Sequence, residues 1–184
     1  MERRRLRVWT WHKPSGAVWF AVMAALFIIG AAVGFLLDCR WPMAELPSEF
    51  ALSADTPVTP VLTIATFWSH FRWLLLAVLL GFSGSGAWLL PAVLFLRGAL
   101  FGYSYAALFV SQPGAALFLH YLPTALFDCA PLLLLTVLGL LRLTDGIPSE
   151  AARVTRFSTL FILSAFCAIF YCFIELWLLP LASL

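Results

Sequence analysis

From Ala17 to Leu37 the chain runs for 21 residues without a charge, and no other feature narrows its folding options as far. A hydrocarbon core about 30 Å thick takes roughly 20 apolar residues of helix to cross. In lipid such a helix satisfies its own backbone hydrogen bonds and needs no further cover. A secretory signal peptide is the rival reading, because basic residues precede the run. Its apolar core would be only about 7–15 residues, followed by a small-residue cleavage site. Here the run ends in Asp38-Cys39-Arg40-Trp41-Pro42, so a retained membrane helix is expected.

The remaining sequence repeats the pattern. Hydrophobic residues make up 63% of the 184 positions and charged residues 11%, against roughly 25% charged in a soluble domain. Lipid must replace the missing polar surface. Between Trp73 and Val110 the only charge is Arg97. That length fits two spans with a tight turn, placed in Gly81-Phe82-Ser83-Gly84-Ser85-Gly86, where glycine permits positive φ. Pro91 is the alternative site for the turn. The glycines (Gly81, Gly84, Gly86) also read as close-packing positions, because small residues let helices approach in lipid. After Ser111-Gln112-Pro113-Gly114, a fourth span is expected from about Ala115 to Leu141. It carries Pro123 and Pro131 and is therefore kinked. A fifth runs from Phe157 to Leu179.

The expected fold is thus all-α: one integral membrane domain over 1–184, a polytopic transmembrane helical bundle of five spans. A basic segment (1–16) precedes the first span. A loop over 38–66 holds Pro42, Pro47, Pro57 and Pro60 with Asp38, Glu45, Glu49 and Asp55. Its latter half, Val58 to Phe71, is apolar enough to lie on the membrane surface. A polar loop spans 142–156. The amino end holds five basic residues (Arg3, Arg4, Arg5, Arg7, Lys13), and the 142–156 loop adds Arg142, Arg153 and Arg156. The opposite side holds Arg40 and Arg72. Eight against two is a positive-inside bias, giving a cytoplasmic amino terminus and an outer carboxyl terminus. A basic cluster beside a hydrophobic helix is a topology signal before it is a nucleic-acid site, and no nucleic acid is expected.

An ionisable side chain at a helix centre costs about 2.5–3.5 kcal/mol on insertion scales, so those inside spans need partners. Arg97 is eleven residues past Gly86, about 16 Å of rise, and Asp128 lies halfway along the fourth span. Their matching depths predict a buried Arg97–Asp128 pair. His120 and Glu175, both toward the outer ends of their helices, form a second expected contact, unless Glu175 snorkels outward. Gly98-Ala-Leu-Phe-Gly102 is a GxxxG motif, offering a flat face to another helix of this chain or of a second copy.

Catalytic motifs are missing. The chain has no H-E-x-x-H pair and no G-x-S-x-G turn, and Gly84-Ser-Gly86 lacks the remainder of a dinucleotide loop. Ser83 and Ser85 have no histidine on a suitable later helix. The cysteines (Cys39, Cys129, Cys167, Cys172) show no metal-binding spacing. No enzyme activity, cofactor or metal is expected.

The segment Phe95-Leu-Arg-Gly98-Ala-Leu-Phe-Gly102-Tyr103, followed by Leu122-Pro123, resembles the stage II sporulation protein M family. Arg97, Gly98 and Gly102 match that family's phenylalanine-leucine-basic-glycine run. The family's Leu-Pro-Gln-Asn-like step reads Leu122-Pro123-Thr124-Ala125 here, without the amide residues. The likeness covers Phe67 to Leu143, and the ends agree in layout. It implies a non-catalytic scaffold of the sporulation engulfment complex. Such a scaffold would hold a peptidoglycan amidase and a lytic transglycosylase at the septal membrane. The other functional class consistent with the residues is a transporter or channel subunit, in which Arg97, Asp128, Tyr103, Ser104 and Tyr105 would converge on a water-filled cavity.

Overall fold

The computed structural model describes residues 16–41, 59–83, 85–111, 122–145, 150–174 and 176, with backbone alone at 108, 110, 111, 142–145 and 150–153. They form an all-helical bundle with five helices long and apolar enough to cross a membrane. Helix α1 is Gly16–Arg40 and α2 is Pro60–Phe82. A 3-10 turn, Gly86–Leu89, leads into α3, Leu90–Ser111. The fourth span, Leu122–Leu141, passes early through a π-helical turn at Ala125–Cys129 and continues as α4, Ala130–Asp145. Helix α5 is Glu150–Phe173.

Helix α2 starts well before the sequence suggests. The loop expected over 38–66 loses its beginning to α1 and its last seven residues to α2; residues 42–58 lie outside the described residues. Pro60 does not break the helix, because it occupies the first turn, where a backbone N–H has no intrahelical acceptor to lose. Thr59 caps the start, its side-chain oxygen accepting from the Leu62 N–H at 3.2 Å. The segment expected to lie on the surface up to Phe71 is therefore the first half of a span. Arg72, expected at the outer start of the second span, is instead the thirteenth residue of α2 and sits mid-helix. The polar loop expected over 142–156 shortens in the same way, since α4 extends to Asp145 and α5 starts at Glu150. Polar residues are compatible with helix once it has left the hydrocarbon.

The turn between the second and third spans falls in the glycine-serine segment. The Ser83 hydroxyl accepts from the Gly86 N–H at 3.1 Å. Neither Gly81 nor Gly86 takes a left-handed φ, and both supply space. A Cβ on Gly81 would lie 2.8 Å from Phe157 Cε1, and one on Gly86 would lie 3.0 Å from Ser83 Cβ. Gly84 lies outside the described residues.

The closest helix pair is α1 with α3, and its contact is backbone on backbone. Gly98 and Gly102 of α3 face Phe27 and Ala31 of α1, while Gly30 and Gly34 of α1 face Phe95 and Ala99 of α3. A Cβ added to Gly102 would sit 2.8 Å from the Ala31 Cα, and one on Gly34 would sit 2.9 Å from the Ala99 Cα. The partner of the α3 GxxxG is thus a second GxxxG, Gly30-Ala-Ala-Val-Gly34, within the same chain. Van der Waals packing of small residues is what holds helices together where lipid is as apolar as leucine. Rising register on one helix meets rising register on the other, so the two run parallel. At the end of α1, the Tyr103 hydroxyl donates to the Trp41 carbonyl at 2.8 Å. Buried Leu74, Ala77, Leu90, Leu94, Leu132, Leu135 and Leu140 fill the space between α2, α3 and α4.

Candidate functional site

The polar centre of the bundle grows out of a defect in the fourth span. Pro131 has no N–H to donate and would crowd the carbonyl four residues earlier, that of Phe127. The helix avoids this by widening: the Ala130 N–H bonds to the Ala125 carbonyl, five residues back. Such π turns are a usual way for membrane helices to accommodate proline. Asp128 lies inside this turn, with its side chain fully buried.

Two basic side chains meet that carboxylate. The Arg97 guanidinium of α3 donates from Nη2 to Asp128 Oδ2. His70 Nδ1 of α2 lies 3.3 Å from the same oxygen. Asp128 Oδ1 is buried without a hydrogen-bond partner among the described residues. His70 is 3% exposed and Arg97 9%, so the three groups lie inside protein and away from lipid. The Trp73 indole adds a cation–π contact, with the Arg97 Cζ 5.8 Å from its ring centroid.

A second set of hydroxyls adjoins the first. Thr124 Oγ1 accepts from the Tyr105 hydroxyl at 3.1 Å and lies 2.6 Å from the Tyr171 hydroxyl. The Tyr171 ring meets His70 edge-on, with centroids 4.6 Å apart. Four spans therefore contribute: α2 through His70, α3 through Arg97 and Tyr105, the fourth span through Thr124 and Asp128, and α5 through Tyr171. Helix α1 packs on α3 through its glycines.

Chemically, the arrangement is suited to fixing helices. Asp128 carries a negative charge whose nearest partners are a permanent cation and an imidazole, which suits an ion pair better than proton abstraction from a bound molecule. Among the described residues no group of three His, Cys, Asp or Glu side chains is placed to hold a metal. Cys129 and Cys172 are buried, and the Cys172 Sγ is directed at the Thr63 carbonyl at 3.7 Å. Ser83 and Ser85 lie at the α2–α3 turn with their hydroxyls 3.5 Å apart.

The structure brings Arg97 and Asp128 together and uses Gly98, Gly102, Gly81 and Gly86 as packing positions. His120 and Glu175 lie outside the described residues. Of the groups that a water-filled path would need, Tyr103 is at the end of α1, away from Arg97 and Asp128. Sequence reasoning missed His70. Its signal was present, because Thr66, His70, Leu74 and Ala77 recur at helical spacing and all four are buried. Comparison with family models, with curated proteins and with solved structures finds no match to this chain.

Proposed function

We propose that this chain is a non-catalytic membrane scaffold, its amino end cytoplasmic and its carboxyl end outside. The observation carrying this reading is the burial of the charged centre between helices. Asp128, Arg97 and His70 tie three spans to one another through Asp128 Oδ2. A cleft of about 400 Å³ between α2 and α5 is lined by Thr63, Ile64, Phe67, Ile169, Cys172, Phe173 and Leu176, an apolar wall unsuited to carrying ions. A buried ion pair whose best-attested use is to specify one arrangement fits a rigid platform.

The resemblance of Phe95–Tyr103 to the stage II sporulation protein M family gives the platform its cargo. The partners would be a peptidoglycan amidase and a lytic transglycosylase, held at the septal plasma membrane of a spore-forming bacterium during engulfment. Docking is assigned to the outer, proline-rich segment between α1 and α2. The test is deletion of Glu45 to Val58, which spares the Thr59 cap. Membrane insertion should persist while the hydrolases are lost from an affinity pull-down; retained hydrolases would end the proposal. Transport is the rival, favoured by the general rule that intramembrane charges are functional. Proteoliposomes showing ion flux abolished by Asp128→Asn would favour it.

A further inference from the structure

Arg72 is the thirteenth residue of α2. Ten residues separate it from the helix end at Phe82, about 15 Å of rise, half of a core about 30 Å thick. Arg97, the twelfth residue of the Gly86–Ala107 span, reaches the same indole. Arg72 Cζ and Arg97 Cζ lie 5.9 and 5.8 Å from the centroid of the same Trp73 ring. Arg97 turns inward to Asp128. Arg72 is exposed on the outside of the bundle, where the surroundings are acyl chains.

Around it runs a continuous outward stripe. Val61, Ile64, Trp68, Leu76 and Leu79 are all exposed, at spacings of three and four residues through Arg72. No ion pair engages Arg72 among the described residues. The described acids of the spans, Asp38 and Asp128, are both buried, and Asp128 is already engaged by Arg97 and His70. A guanidinium facing hydrocarbon halfway across a bilayer is among the most costly placements a membrane helix can make.

We propose that this stripe of α2 docks a transmembrane helix of a different membrane protein, one carrying an Asp or Glu halfway across the bilayer. Charge complementarity selects that occupant. A second copy seated symmetrically on the same stripe would bring Arg72 against Arg72, adding a like charge where a counter-charge is needed. The proposal goes beyond the scaffold reading and stands without it, since it uses only the position of Arg72.

The test uses the full-length protein in vesicles of zwitterionic phosphatidylcholine. The probe is a labelled oligo-leucine transmembrane peptide with a single central Asp, compared with versions carrying Leu or Lys there, and association is read by energy transfer. The Asp peptide should bind roughly tenfold or more tightly than the Leu peptide, about 1.4 kcal/mol, and Arg72→Leu should abolish the difference. Because Arg72 is exposed, the variant should keep its unfolding temperature. A photo-crosslinking side chain at Leu76 of otherwise wild-type protein gives a second readout, capturing the Asp peptide in preference to the Leu peptide. Equal binding of the two peptides overturns the proposal, as does a preference that survives Arg72→Leu. A homodimer dissolved by Arg72→Leu overturns it in favour of a second copy. Loss of the preference on adding anionic lipid overturns it in favour of a headgroup. The Glu45–Val58 deletion leaves this assay unchanged, so the two readings fail separately.

Discussion

Replacing Arg97 by Met removes the permanent cation at the Asp128 carboxylate while keeping most of the side-chain volume. Asp128 is fully buried and would be left with His70 Nδ1 at 3.3 Å as its neighbour. Breaking one side of a buried pair costs about 3–5 kcal/mol, because the other charge stays behind uncompensated. For a chain of this size, each kcal/mol moves the unfolding midpoint by roughly 2–4 °C. Arg97→Met should therefore lower it by about 6–20 °C, and Asp128→Leu should do much the same by stranding the guanidinium. The double variant should be clearly less destabilised than the sum of the two, since neither charge then remains. The protein supplies its own reporter: Cys129 and Cys172 are buried, so a thiol-reactive fluorophore gains signal as the bundle opens, once Cys39 and Cys167 are replaced by Ser. If the two losses add to within about 0.5 kcal/mol, the residues are energetically independent and the account of the junction is wrong.

Gly102→Val should be damaging, because even a Cβ there would lie 2.8 Å from the Ala31 Cα, against about 3.5–4.0 Å for comfortable carbon contact. Parting α1 from α3 by roughly 1 Å should cost about 1–3 kcal/mol, read as a lowered unfolding temperature, whereas Leu100→Val on the exposed face of α3 should leave it nearly unchanged. In intact cells a membrane-impermeant maleimide should label Cys39, which is exposed at the end of α1, and leave Cys129 and Cys172 untouched; labelling of Cys39 only after permeabilisation would invert the proposed orientation.

The number of spans was legible because charge-free length is a strong signal in lipid. The meeting of Arg97 with Asp128 was legible for a related reason: helical rise converts sequence position into depth, and depth limits which charges can meet. The start of α2 was not, because Pro57 and Pro60 look like helix breakers until one knows that Pro60 occupies the first turn behind a Thr59 cap. That late start hid His70, which has no reason to face Asp128 if its segment lies on the membrane surface, and it put Arg72 at the outer start of the span instead of its middle. The prolines of the fourth span foretold an irregular helix. They did not foretell a π turn at Ala125–Cys129, since the choice between kinking and widening depends on which neighbours receive the displaced side chains. Gly30-Ala-Ala-Val-Gly34 has the same spacing as the α3 motif, but a GxxxG alone does not specify which helix it meets.

Two helices can lie side by side pointing the same way only if the chain joining them travels fully back across the bilayer. The match of Gly30 and Gly34 with Gly98 and Gly102 therefore makes α2 a complete return crossing and excludes a shallow re-entrant excursion. It also links the sidedness of the segments: placing one end of α1 places the far end of α2 and the near end of α3 with it. One accessibility measurement at Cys39 orients the first three helices together.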